Sequence, residues 1–356
     1  MGTGASPFED GARFLESGEF EKAINLFTMI ISVNREYASA HANRGLAYAG
    51  LGQHELAIGD YDEAIRLNPE LAVAYNNRAT SYQDIGELER TMVDFSEAIR
   101  LDPQYVKAYS NRGNAYGHVG QYERGMRDLD EAIRLDPQFA MAYYNRGVVH
   151  NGMGQHQRAI EDYNEATRLN PRFLDAYVNR GNSYGELGDL QRALEDFNEV
   201  IRLDPGTAEA YANRGIVYDD LGEYQRAIED YDKAISIDPQ HSGAYFNRAN
   251  SRTHLGDYER AIQDYDEAVR LDPQSDAYTA RGLSYYNLGE FDRAIVDYGE
   301  AIRLDPEDAM PYGNRAIAYA LLGEDTKAQE DMERAVVLGV DASSIEGAIE
   351  QARSLR

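Results

Sequence analysis

The sequence predicts an all-α solenoid, a single file of short helix–turn–helix units closed by one C-terminal capping helix. Three observations predict it. Residues 208–241 read AEAYANRGIVYDDLGEYQRAIEDYDKAISIDPQH, and the same spacing recurs along the chain. Pro69, Pro103, Pro137, Pro171, Pro205, Pro239 and Pro273 stand 34 residues apart, and Pro306 follows after 33. Between them Gly52, Gly86, Gly120, Gly154, Gly188, Gly222, Gly256, Gly289 and Gly323 fall at one fixed place in the period. Self-similarity at this period marks an array in which each unit cannot bury its apolar face alone and does so against its neighbours.

Taken in order, the units fall at 4–37, 38–71, 72–105, 106–139, 140–173, 174–207, 208–241, 242–274, 275–308 and 309–342, ten in all. Residues 1–3 are expected to be disordered. Gly2 and Ser6 fit a loose N-myristoylation pattern, but Ser6 followed by Pro7 reads better as the start of a helix. The first unit is degenerate, keeping Gly11, Phe14, Gly18, Ala23 and Phe27, as the end of a solenoid should be. The eighth lacks one residue between Pro273 and Tyr278, which should shift the local geometry, and the tenth has Val340 where proline belongs. Residues 343–356 then form the cap: Ser343 to Glu346 reads as a capping box, followed by an apolar stripe of Ile345, Ala348, Ile349, Ala352 and Leu355.

Each position within the unit has a physical reason. The glycine ends the first helix in the left-handed region, and the proline, lacking an N–H, ends the second. Gly or Ala at positions 8, 20 and 27 lets the paired helices approach closely. Tyrosines at positions 4, 11 and 24 fill the gaps, their hydroxyls expected at the surface; this accounts for most of the 27 tyrosines.

Tyr211, Gly215, Tyr218, Gly222, Ala227, Tyr231, Ala234 and Pro239 stand at positions 4, 8, 11, 15, 20, 24, 27 and 32 of their unit. This resembles the tetratricopeptide repeat (TPR) pattern, over residues 4 to 342. The resemblance implies a right-handed superhelix whose first helices line a concave groove, a family that binds extended peptides or helices and has no chemistry of its own.

Three features refine that expectation. Acidic residues crowd the second helices, as in Glu161, Asp162 and Glu165 or Glu229, Asp230 and Asp232, and by the family geometry this charge faces mostly outward and serves solubility. Position 7 is arginine in Arg44, Arg78, Arg112, Arg146, Arg180, Arg214, Arg248, Arg281 and Arg315, matched by aspartate at position 23 in Asp60, Asp94, Asp128, Asp162, Asp196, Asp230, Asp264, Asp297 and Asp331. A one-to-one match predicts partly buried ion pairs; a row of anion-binding arginines is the less favoured reading.

Position 6 is asparagine in Asn43, Asn77, Asn111, Asn145, Asn179, Asn213, Asn247 and Asn314, with Ala280 interrupting the row. This resembles the asparagine ladder in the TPR region of protein O-linked N-acetylglucosamine transferase, which grips peptide backbones. An amide both donates and accepts, so it can bond a peptide unit whatever its side chain; the alternative is that these amides serve the scaffold. Asp175, Glu186, Glu209, Asp219 and Asp220 make the middle of the implied groove acidic, so the expected ligand is an extended, basic segment. The chaperone-type carboxylate clamp is absent: position 5 carries no lysine, and only Lys107 is positive at position 2.

The remaining composition excludes other classes. A formal charge of −27 disfavours nucleic acid, whose phosphates require clustered Lys and Arg, and an anionic membrane surface. No apolar run approaches the roughly 18 residues of a membrane span. There is no signal-peptide pattern and no cysteine, which fits a cytoplasmic protein. His41, His54, His118, His150, His156, His241 and His254 are scattered over different positions, without an acid at metal-ligand spacing. No phosphate loop or nucleophile motif appears, so neither an enzyme nor a cofactor is expected. The favoured function is a peptide- or protein-binding scaffold; the alternative is a structural protein self-associating through stacked repeats.

Overall fold

The computed structural model describes residues 6–355, so the expectations for residues 1–3 and for Gly2 lie outside the described residues. Among the described residues, 21 helices follow one another with no strand between them. They divide into two compact units, Met1–Ser183 and Tyr184–Arg356. The first carries α1 (Pro7–Glu16), α2 (Phe20–Val33), α3 (Ala38–Gly50), α4 (His54–Leu67), α5 (Ala72–Asp84), α6 (Leu88–Leu101), α7 (Val106–His118), α8 (Tyr122–Leu135), α9 (Ala140–Gly152) and α10 (His156–Leu169). The division falls within α11 (Leu174–Glu186). The second unit carries α12 (Leu190–Leu203), α13 (Ala208–Asp220), α14 (Tyr224–Ile237), α15 (Ser242–His254), α16 (Tyr258–Leu271), α17 (Ser275–Asn287), α18 (Phe291–Leu304), α19 (Ala309–Leu322), α20 (Asp325–Val337) and α21 (Ala342–Ser354).

Within each unit, helices pair into antiparallel hairpins and each hairpin packs on the next, the arrangement of an all-α solenoid. The turn inside a hairpin is set by glycine. Gly222 has φ of 72°, and the N–H of Glu223 closes onto the Tyr218 carbonyl at 2.8 Å, a left-handed helix end that a Cβ would strain. Close approach is set by the small residue at position 8. A Cβ added to Gly147 would lie 2.5 Å from Cε1 of Tyr163, so here the aromatic ring lies directly on backbone. The second helices end at an Asn or Asp before the proline. In Asp238 that side chain accepts from the Gln240 N–H at 2.9 Å, turning the chain toward the next helix.

Several expectations are corrected. The tyrosines at position 24 do not carry their hydroxyls to the surface, because Tyr61, Tyr163, Tyr231, Tyr265 and Tyr298 are fully buried between the two helices of their hairpin and the next hairpin. Asp162 and Asp230 do not face outward with their acidic neighbours; both are buried against arginine. The cap α21 begins at Asp341, whose carboxylate accepts from the Ser344 N–H at 2.8 Å and the Ser343 hydroxyl at 2.6 Å. Ser343, expected to open the capping box, is therefore the second residue of the helix, inside its first turn. Ser6, by contrast, does form a capping box with Glu9.

Along α21 the apolar stripe holds for Ile345, Ile349 and Ala352, which are buried against Ala316, Met332 and Ala335, whereas Leu355, expected on the same stripe, is exposed beyond the end of the helix. The residue missing from the eighth copy changes the entry to α17: Gln274 has ψ of 149°, whereas Thr207 and His241 before α13 and α15 have 96° and 84°.

Candidate functional site

On a first helix, positions 2, 6, 9 and 13 are separated by four, three and four residues, so they form one stripe along the helix. Position 3 beneath that stripe is buried alanine, as in Ala40, Ala108, Ala142, Ala210 and Ala244. On α13 the stripe is Glu209, Asn213, Ile216 and Asp220, with Ile216 left 42 % exposed. On α11 it includes Asp175 and Glu186, both exposed. The asparagines of position 6 are therefore on the open face of the first helices, half-buried rather than standing free, with Asn145 alone among them buried.

The row is not uniform. Asn111 Nδ2 donates to Asn76 Oδ1 at 3.2 Å, Asn145 Nδ2 to Ser110 Oγ at 3.0 Å, and Asn179 Nδ2 to the Tyr144 hydroxyl at 3.0 Å. In each case the acceptor is position 5 of the preceding repeat. Asn77 Oδ1 accepts from its neighbour Asn76 at 3.0 Å. Asn145 is only 5 % exposed and its carbonyl oxygen accepts from Asn114 at 3.4 Å, so as a peptide ligand it is corrected to a scaffold group. Where position 5 of the preceding repeat is apolar, as at Ala42 before Asn77 and Ala212 before Asn247, no such capture occurs. Among the described residues, the side-chain amides of Asn43, Asn213, Asn247 and Asn314 have no partner.

The acidic set also divides. Asp219 stands at position 12 and is drawn inward, accepting from the Tyr231 hydroxyl and the Ser251 hydroxyl, each at 2.7 Å. Burial pushes its carboxyl above the usual range, the two hydroxyls acting in the opposite direction. It is removed from the ligand-facing set, which leaves Asp175, Glu186, Glu209 and Asp220 exposed.

Asp219 belongs to a recurrent device that sequence reasoning missed. The hydroxyl of a position-24 tyrosine meets a polar side chain at position 12 of its own repeat, and that side chain meets a serine at position 10 of the next. Asn151 joins Tyr163 to Ser183, at 3.3 and 2.9 Å. Asp219 joins Tyr231 to Ser251, and Thr253 stands 3.5 Å from both Tyr265 Oη and Ser284 Oγ. Where position 24 is Phe27, Phe95, Leu129 or Phe197, position 10 of the next repeat is Ala47, Ala115, Val149 or Val217. That co-variation, which Tyr298 followed by Ala318 breaks, was the available signal. The pair Tyr61 and Ser81 lacks the middle member, because position 12 is Ala49, and both hydroxyls are buried with no partner.

Within each compact unit the arginine row is paired as expected. Arg78, Arg112, Arg214, Arg281 and Arg315 each fork through Nε and Nη2 onto the aspartate sixteen residues on, at 2.6–2.9 Å. Position-4 tyrosines such as Tyr211 and Tyr278 lie 5.6 and 5.3 Å from the guanidinium carbons of Arg214 and Arg281, adding a cation–π contact. These bonds hold the guanidinium pKa above its ordinary value, as Asp230 does for Arg214. Among the described residues no group of three or more His, Asp or Glu side chains could hold a metal ion, and no helix is long and apolar enough to cross a membrane. The arrangement offers hydrogen-bonding amides, carboxylates and apolar side chains on open helix faces, which is the chemistry of recognition.

The tetratricopeptide repeat family model matches residues 38–71, 106–139, 140–173, 174–206, 208–241, 242–275 and 275–308, and a second TPR model matches 81–120. No curated protein matches the chain closely enough to count as a relative. Among solved structures, the chain is similar to YrrB, a TPR protein with an unusual peptide-binding site, at 31 % identity over 52 % of this chain and 95 % of that one, with a TM-score of 0.41. It is also similar to the Cut9-Hcn1 hetero-tetramer of APC/C, at 14 % identity over 97 % of this chain and 83 % of that one, TM-score 0.55. A TPR protein from Parabacteroides merdae is 18 % identical over 69 % of this chain and 98 % of its own, TM-score 0.53. The last two share the fold. With the family model repeating over more than half of its residues, the chain belongs to the tetratricopeptide repeat family.

Proposed function

We propose that this protein is a non-enzymatic scaffold that holds an extended segment of a partner protein against the open faces of its first helices. The observation that carries this reading is the α13 stripe, where the unpartnered amide of Asn213 lies between the carboxylates of Glu209 and Asp220 and beside the exposed Ile216. An amide in that setting can pair with a peptide unit, the carboxylates favour Lys or Arg on the ligand, and Ile216 offers an apolar contact. YrrB, similar over half of this chain, is itself a TPR protein with a peptide-binding site; the proposal rests on the α13 residues and not on that likeness.

The test uses a panel of fluorescent extended peptides in which lysines alternate with small and apolar residues, measured by anisotropy. Asn213→Ala with Asn247→Ala should weaken the best binder about tenfold or more, at roughly 1 kcal/mol for each lost hydrogen bond, and leave the melting temperature unchanged. Charge reversal at Glu209 and Asp220 should remove the preference for lysine. Undiminished binding in both variants would refute the reading. End-to-end stacking of repeats is the weaker alternative, since burial of Ile345 and Ile349 covers one end of the array.

A further inference from the structure

The arginine row has a second set of bonds that the one-to-one Arg–Asp match did not reveal. While Nε and Nη2 fork forward, Nη1 reaches back to position 25 on the second helix of the preceding repeat, sixteen residues earlier. Arg44 meets Thr28 there, Arg112 meets Ser96, Arg180 meets Asn164 and Arg214 meets Asn198, at 2.5–3.1 Å. In four other repeats the acceptor is a second carboxylate. Arg78 meets Asp62, Arg146 meets Asp130, Arg248 meets Asp232 and, across the shortened repeat, Arg281 meets Asp266, at 2.5–2.7 Å. Those four aspartates keep 52–58 % of their side chains exposed. The place they occupy is therefore open to the surface, and one guanidinium accommodates two carboxylates there.

Arg315 departs from the rule. Its Nε and Nη2 hold Asp331 at 2.7 and 2.9 Å, but sixteen residues earlier stands Gly299. A Cβ built on Gly299 would lie 3.5 Å from Arg315 Nη1 and would meet nothing else within 4 Å. Tyr312 and Tyr319, each with its ring centre 5.9 Å from the guanidinium carbon, flank the group. Arg315 is thus fixed in the same pose as its counterparts, with an N–H pair aimed at open space where they find an acceptor.

We propose that Arg315 and Gly299 form a docking notch for one side-chain carboxylate, an Asp or Glu of a partner protein that completes the bridge. The four internal aspartates are the argument for the occupant: a carboxylate already sits at this place, beside the first one, in Arg78, Arg146, Arg248 and Arg281. A planar carboxylate meets one N–H pair of a guanidinium well, whereas a phosphate dianion would bring additional charge close to Asp331. Gly299 lies on the second helix α18, and Arg315, at position 7 of α19, lies off the stripe of positions 2, 6, 9 and 13, so the notch is separate from the proposed peptide-holding face and does not depend on that function.

The experiment observes arginine side chains of the full chain by ¹⁵N NMR, with the Arg315 signal assigned by its loss in Arg315→Lys. The probe is N-acetyl-glutamate N-methylamide, which carries a single side-chain carboxylate, titrated at constant ionic strength. The Arg315 signal should move saturably while those of Arg78 and Arg281 stay in place. Gly299→Asp supplies the acceptor within the chain and should weaken the response at least tenfold; Gly299→Ala, which adds no acceptor, should retain it. No selective shift, or a shift unchanged in Gly299→Asp, overturns the notch. A tighter response to N-acetylglycine overturns the side-chain assignment in favour of a C-terminal carboxylate, and a tighter response to inorganic phosphate overturns carboxylate as the class.

Discussion

Asn145 donates its amide to Ser110 Oγ at 3.0 Å, from the fifth repeat to the fourth, while lying almost wholly out of solvent. Asn247 occupies the same position of its repeat with an unpartnered amide. The two should therefore respond in opposite ways to alanine. Asn145→Ala leaves a buried serine hydroxyl unmet and should cost about 1–3 kcal/mol of stability. Asn247→Ala should change stability by no more than about 0.5 kcal/mol and act on ligand binding alone. Denaturant melts of the two single variants check this; equal losses would mean the row is one scaffold throughout.

Tyr61 and Ser81 carry buried hydroxyls with no acceptor, whereas Tyr231 donates to Asp219. Removing an unmet buried hydroxyl relieves a desolvation cost, while removing a bonded one strands its partner. Tyr61→Phe should thus stabilise by about 1 kcal/mol and Tyr231→Phe should destabilise by a similar amount. Ala49→Asn, which installs the group found at Asn151, should also stabilise. Loss of stability in Tyr61→Phe would indicate that a trapped water joins the two hydroxyls.

The Arg214–Asp230 pair tests the bridging rows. Asp230 is 6 % exposed and takes two bonds from Arg214, at 2.6 and 2.7 Å. Removing either partner strands a buried charge, so Arg214→Leu should cost about 3–5 kcal/mol, and Arg214→Leu with Asp230→Leu should recover most of that loss. A strictly additive double-mutant cycle would contradict the pairing.

Asp219 should leave a signature in pH. Burial raises its carboxyl pKa in the folded protein above the unfolded value, so the folded state binds this proton more tightly. Its contribution to stability is then fully present below the unfolded pKa and is lost as pH rises through the folded one. Asp219→Asn should be more stable than the parent at neutral pH, and the difference should close as pH falls toward the ordinary carboxylate range. Parallel stability curves from pH 3 to 7 would show that Asp219 does not titrate abnormally.

Truncation before Asp341 removes α21 and uncovers Ala316, Met332 and Ala335. The shortened protein should melt lower and associate with rising concentration, which light scattering measures. A monomer as stable as the parent would mean that α21 does not act as a cap.

The sequence by itself determined the repeat, its helices and its turns, because each depends on contacts close along the chain. Glycine is required at Gly222 for its positive φ, and proline ends the second helix through its own missing N–H. The Arg–Asp match was legible too, since both members lie within one hairpin sixteen residues apart. What only the tertiary structure decided are the bonds between repeats: the capture of Asn145 but not Asn247, the inward turn of Asp219, and the lack of an acceptor for Arg315 at Gly299. These depend on which side chains a neighbouring hairpin brings within about 3 Å of an amide or guanidinium, the reach of a hydrogen bond. Position in a repeat fixes the face a residue occupies, but the neighbour's residue decides whether its polar group is satisfied there or left for a ligand.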